Sequence, residues 1–247
     1  MIRTALLSAS AAVASAALLA GFAAHPGAGH DTKNAEPAGE ANPMAFAYTL
    51  GVCPVSGMEL GAMGDVIVKS YEGREVRFCC NGCPDQFAED LDASWEKVDE
   101  MIIEDQLPYY PLTTCVVSGE ELAFDGEEVA INVVVNNRLF RVCCEGCIAQ
   151  IEADPSKYAA LLDAAVIEAQ SDAYPLETCV VAGHGLGGEE GEEPAQIVAG
   201  SRLVKFCCGG CESSFAENPA QFLAELDEAW KPIIEESGRP VVELDSE

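Results

Sequence analysis

Histidine is scarce in this chain: three in 247 residues, at His25, His30 and His184. The first two precede any folded pattern, so a histidine-built catalytic metal centre is all but excluded. Positive charge is short as well, with 13 Lys and Arg against 42 Asp and Glu and a net charge of −29. Nucleic acid, whose phosphates require a basic footprint, is therefore not an expected partner. The same charge argues against an anionic membrane surface as the docking partner. Past the N-terminus there is no second hydrophobic run long enough to cross a bilayer. No nucleotide-binding glycine loop, serine nucleophile elbow or pair of catalytic carboxylates stands out, so catalysis is not expected.

What is present begins with an export signal. Arg3 supplies one positive charge, residues 5–24 are apolar and Ala/Ser-rich, and Gly21 and Ala23 offer small residues for cleavage after Ala23. An uncleaved membrane anchor is the alternative. With no cysteine beside Leu19-Ala-Gly21, lipidation of the usual bacterial kind is not expected. Residues 24–45 read as a flexible leader, and residues 237–247 as an acidic tail.

Between them one unit is written three times. Tyr48-Thr-Leu-Gly-Val-Cys53, Tyr110-Pro-Leu-Thr-Thr-Cys115 and Tyr174-Pro-Leu-Glu-Thr-Cys179 open the copies, which span residues 46–107, 108–172 and 173–236. The clusters Cys79-Cys80-x-x-Cys83, Cys143-Cys144-x-x-Cys147 and Cys207-Cys208-x-x-Cys211 recur at an interval of 64 and, with the three lone cysteines, account for all twelve. Val55-Ser-Gly57, Val117-Ser-Gly119 and Val181-Ala-Gly183 read as turns after the lone cysteine. Two β-rich runs follow, the second at Arg74–Phe78, Arg138–Val142 and Arg202–Phe206; turns at Gly73, Asn136-Asn137 and Gly200-Ser201 make each pair a hairpin. The cluster closes the second strand, where its glycine marks a tight turn.

One helix per copy is then expected. Phe215, Phe222, Leu223, Leu226 and Trp230 form its stripe in copy three, started by Asn218-Pro219; Ile151, Asp154-Pro155, Tyr158, Leu161 and Leu162 repeat it in copy two. In copy one Asp90-Leu91 replaces the proline pair and Trp95 is displaced by one, which predicts a different start or packing. Units of this size with few aromatics need a staple.

The staple is either metal or disulfide. Four thiols per unit, presented by two turns, suit tetrahedral Zn²⁺, and soft sulfur also suits Cu(I). Arg77, Arg141 and Lys205, two residues before each cluster, together with Arg74, Arg138 and Arg202, would favour thiolates there, or else offset the acidic field. Even cysteine numbers in an exported chain equally fit two disulfides per unit and a metal-free interaction scaffold. A thiol oxidoreductase built on Cys80-x-x-Cys83 is the weakest reading. The acidic run Glu189, Glu190, Glu192, Glu193 reads as a solvated loop, His184 as a surface residue, and Phe87, Phe215, Tyr158 and Phe222 as packing.

Cys53-Pro-Val-Ser-Gly-Met58, then Gly73-Arg-Glu-Val-Arg-Phe78-Cys79-Cys80-Asn-Gly-Cys83 and Phe87, resembles the YHS and TRASH domains. Copies two and three resemble them too, adding Asp154-Pro-Ser-Lys-Tyr158 and Asn218-Pro-Ala-Gln-Phe222. The likeness covers residues 46–232. It implies small treble-clef-like α+β modules that bind heavy metals in metal-handling proteins. By the family pattern the ligands are Cys53, Cys79, Cys83; Cys115, Cys143, Cys147; and Cys179, Cys207, Cys211. The middle cysteines Cys80, Cys144 and Cys208 are left as fourth ligand, buried spare or disulfide partner. The expectation is an exported, periplasmic or extracellular protein of three α+β modules. It takes up to one Zn²⁺, or alternatively Cu(I), per module, with a metal-transport or other exported protein as partner.

Overall fold

The computed structural model describes residues 42–186 and 193–237. The expected export signal, residues 24–41 of the expected leader with His25 and His30, the acidic positions Glu189, Glu190 and Glu192, and residues 238–247 of the tail lie outside the described residues.

In the first module β1 (Ile67–Tyr71) pairs antiparallel with β2 (Arg74–Phe78). The two-residue turn between them, Glu72-Gly73, has both residues at positive φ. Such turns follow the natural twist of the strands they join. Then come α1 (Cys83–Ala88), α2 (Leu91–Gln106) and a 3₁₀ turn at Leu107–Tyr109. The second module adds a small ribbon, β3 (Ala123–Phe124) with β4 (Glu127–Glu128), before the hairpin of β5 (Ile131–Val135) and β6 (Arg138–Val142). Helices α3 (Glu145–Ala153) and α4 (Pro155–Gln170) follow. The third module is β7 (Ala195–Ala199), β8 (Arg202–Phe206), α5 (Gly210–Glu217) and α6 (Pro219–Ser237). The chain is thus a mixed architecture of small hairpins and helices. The second strand of each hairpin lies on the residues expected from sequence.

The single helix expected per module is instead two. A short helix starts inside the cysteine cluster, and an N-cap breaks the chain before the long one. The Asp90 and Asp154 side chains accept hydrogen bonds from the amides of Ala93 at 3.1 Å and Lys157 at 3.2 Å, which satisfies a first-turn donor. Copy one therefore starts its long helix in the same register as copy two without a proline, since proline only presets the first helical φ. Its packing does differ. Ser94 stands where Tyr158 and Phe222 stand, and Trp95 lies edge-on to Phe87 with the Arg74 guanidinium 4.3 Å from its ring centroid. The glycines of the cysteine clusters carry no positive φ; they begin helices rather than left-handed turns.

Each module has its own apolar core, in which the hairpin's second strand meets the helices. The stripe Phe215, Leu223, Leu226 and Trp230 is buried in the third, and Ile151, Tyr158 and Leu162 in the second. Two residues assigned to the leader by composition are packed: Met44 lies in the third module's core and Ala45 in the second's.

The modules are joined by buried polar contacts. Gln106, at the end of α2, donates to the Asn137 carbonyl and accepts from the Leu139 amide, both at 2.9 Å. Gln170, at the end of α4, does the same to Ser201 and Leu203 at 2.8 Å. Each long helix thereby clamps the next module's hairpin. The first and third modules meet where Arg202 pairs with Asp105 and where Arg77 donates to the Glu217 carbonyl at 3.0 Å. None of the described helices is long and apolar enough to cross a membrane.

Candidate metal centre

The lone cysteine of each module sits in a closed turn. Its amide donates to the carbonyl of Met58, Glu120 or His184 at 2.7–2.8 Å, and the amide of Gly57, Gly119 or Gly183 donates back to its own carbonyl at 2.8 Å. Those glycines have φ between 68° and 74°, a left-handed conformation that a side chain disfavours. This explains the Val-x-Gly signal. The second turn lies where the hairpin ends. There the amides of Cys83, Cys147 and Cys211 donate to the carbonyls of Cys80, Cys144 and Cys208 at 3.1–3.3 Å, which folds the cluster back on itself.

The two turns bring three sulfurs together in every module. Cys53, Cys79 and Cys83; Cys115, Cys143 and Cys147; and Cys179, Cys207 and Cys211 each form a group whose sulfurs all lie within 4.8 Å of one another. The separations Cys79–Cys83, Cys143–Cys147 and Cys207–Cys211 are 3.9, 3.8 and 3.8 Å. Thiolates bound to one ion at about 2.3 Å stand about 3.8–4.0 Å apart, so these separations are compatible with a shared metal. All twelve cysteines are free thiols. The middle cysteines approach Cys83, Cys147 and Cys211 at 3.4, 3.5 and 3.8 Å; a disulfide needs about 2.05 Å. These clusters can bind a metal.

No family model, curated protein or solved structure matches the chain. The chemistry of the clusters therefore rests on their own surroundings.

Within each trio the thiols are driven apart in acidity. Burial raises Cys53 and Cys115, but a serine hydroxyl and several backbone amides outweigh it and bring both down to about 7. Cys179 is also lowered, by amides that outweigh its burial. Cys83, Cys147 and Cys211 are pushed up to about 12, first by burial and then by the neighbouring sulfurs. Within each trio the lone cysteine is thus favoured as thiolate while the third cysteine resists ionising. A cation removes that conflict, because a coordinated thiol ionises outright.

The hydroxyls are not uniform. Ser56 Oγ lies 3.2 Å from Cys79 Sγ and Ser118 Oγ 3.3 Å from Cys143 Sγ; the third module has Ala182 at that position. Both serines stood in the turn motif, but only the fold aims them at the cluster.

Of the remaining candidates, Cys80 is half-buried and Cys144 and Cys208 are exposed. None belongs to a trio; Cys144 and Cys208 are not buried spares, whereas Cys80 packs against the first module's core. The six cations, read as favouring the thiolates or else offsetting the acidic field, pair with carboxylates and a carbonyl. Arg74, Arg138 and Arg202 bond Asp99, Asp163 and Asp227. Arg77 bonds Glu75, Arg141 pairs with Glu128, and Lys205 donates to the Ser171 carbonyl. His184 is exposed, as expected, while Phe87, Phe215 and Tyr158 are buried and Phe222 stacks on Phe215. The aspartates and the glutamines of the clamps went unread in the sequence, although Asp99, Asp163 and Asp227 recur at the interval of 64, as do Gln106 and Gln170.

Proposed function

We propose that this is an exported, non-catalytic metal-handling protein whose three modules each take one soft or borderline metal ion through cysteine thiolates. Zn²⁺ is the first choice and Cu(I) the second, because an all-sulfur donor set accepts either. The observation that carries the reading is the threefold convergence of Cys53/Cys79/Cys83, Cys115/Cys143/Cys147 and Cys179/Cys207/Cys211, at separations fit for a shared ion. The likeness of the cysteine turns to YHS and TRASH domains, small treble-clef-like modules, agrees with it. On this reading the ion is cargo and the partner is another exported metal-carrying or metal-transport protein.

The test is elemental analysis of the mature protein together with a thiol count under denaturing, non-reducing conditions. Three metal equivalents per chain and twelve free thiols are expected. No metal and no free thiols would overturn the reading in favour of a disulfide-stapled scaffold.

A further inference from the structure

A thiolate site meant to hold zinc permanently closes four protein ligands around the ion, whereas sites that exchange a ligand keep three and leave the fourth position to an incoming group. Each module has four cysteines, yet its sulfurs divide three to one. Cys53, Cys79 and Cys83 converge, and so do their counterparts. The fourth sulfur, on Cys80, Cys144 or Cys208, stands outside the trio. It remains at 3.4, 3.5 and 3.8 Å from the third cysteine of its own module. At those separations it is close enough to share one ion with that cysteine.

Exposure follows the same division. In every trio the lone cysteine and the third cysteine are buried, while the middle cysteines of the second and third modules are exposed and that of the first is half-buried. A partner thiolate cannot reach a buried lone cysteine without opening the module's core, of which that sulfur is part. The middle sulfur is accessible and adjacent to a ligand. The arrangement recurs three times, so it belongs to the repeat and is not an accident of one loop.

We infer that Cys80, Cys144 and Cys208 are exchange ligands, through which each trio receives its ion from, or delivers it to, a thiolate-bearing acceptor. The inference rests on the metal-binding reading above and deepens it. On delivery the middle thiolate bonds to the ion as the bond to the buried lone cysteine breaks, which draws the ion outward. An acceptor thiolate then bonds to it, and the remaining bonds to the module break in turn. Each thiol that becomes a ligand releases a proton to solvent, and each displaced thiolate takes one up. No electron is transferred and no oxidant is needed. Uptake is the reverse sequence.

The test uses the full mature chain, reduced and loaded with Zn²⁺, and its variant carrying Cys80→Ser, Cys144→Ser and Cys208→Ser together. The acceptor is a metal-free Cys₂His₂ zinc-finger peptide, whose folding on zinc uptake reports arrival of the ion. The variant is expected to hold three zinc equivalents and to deliver them at least about tenfold more slowly than the wild type; a tenfold rate difference corresponds to about 1.4 kcal/mol in the barrier. Alkylation of the loaded wild type is expected to label the middle cysteines first and spare the trios. An unchanged delivery rate would overturn the exchange role. A variant that loses zinc at equilibrium would overturn it too, by making the middle cysteine a resident ligand. A wild-type chain that takes up no zinc or Cu(I) would remove the metal reading itself, and the inference with it.

Discussion

Arg138 and Asp163 close a buried ion pair at 2.6 Å across 25 residues of chain, and the repeat writes the same pair twice more, as Arg74 with Asp99 and Arg202 with Asp227. In each module the first residue of the hairpin's second strand is thereby tied to the module's own long helix. The third copy extends the link, since Arg202 also reaches Asp105 at 2.8 Å in the first module. These three arginines of an acidic chain are therefore internal fasteners.

Asp163→Ala should test that role. Arg138 is wholly buried, and removing the partner of a buried charge costs about 3–5 kcal/mol. Asn42 would also lose its bond to Asp163, made at 2.7 Å. Chemical denaturation should show a loss in that range. A loss below about 1 kcal/mol would mean that solvent reaches the guanidinium.

Gln170→Ala should loosen the grip of the second module on the third. The change leaves the Leu203 amide, the Ser201 carbonyl and the Tyr109 carbonyl without their partner, at about 1–3 kcal/mol for each buried group left unpaired. Amide hydrogen exchange at Leu203 should accelerate, with little change at Leu139, which Gln106 holds.

Cys83→Ser, Cys147→Ser and Cys211→Ser should each remove one of three metal equivalents, because each trio draws its sulfurs from one module only. Elemental analysis of the single variants decides this. Loss of all three equivalents from one change would show that the modules load as a unit.

The reduced, metal-free protein should vary in stability with pH. Cys115 lies at about 7 against an ordinary thiol value of 9.0, its burial being outweighed by the Ser118 hydroxyl and backbone amides. Its folded-state value is depressed. Its contribution is therefore complete above the ordinary value and is lost as pH falls through about 7. Cys147, raised to about 12, acts oppositely, with a contribution present below the ordinary value and lost as pH rises through about 12. Ser118→Ala should move the Cys115 transition upward in a titration followed by ultraviolet thiolate absorbance. Ala182→Ser should lower the corresponding transition of Cys179.

Much of this was legible in the sequence because it is local. The interval of 64 exposed three units. Paired β-rich runs and turn residues located Arg74–Phe78, Arg138–Val142 and Arg202–Phe206, and Val-x-Gly marked the turn that closes on each lone cysteine. The two-helix division was half visible, since Asp154-Pro155 announces a helix start, but the short helix ahead of it left no cap signal. Its N-cap residues, Gly82 and Gly209 by residue type and Cys144 by geometry, make no side-chain capping bond.

By itself, then, the sequence determined the number of modules, the sulfur inventory and the hairpins, because covalent spacing and short-range propensity are enough for those. The resemblance had named three sulfurs of each four; only the tertiary structure showed those three together and the middle one outside, since that depends on the rotation of the chain where a strand passes into a helix. It also decided that the arginines serve carboxylates on a distant helix and that Gln106 and Gln170 bind the neighbouring module. Those bonds join residues 25 to 33 positions apart or more, a reach that no periodicity within a single element encodes.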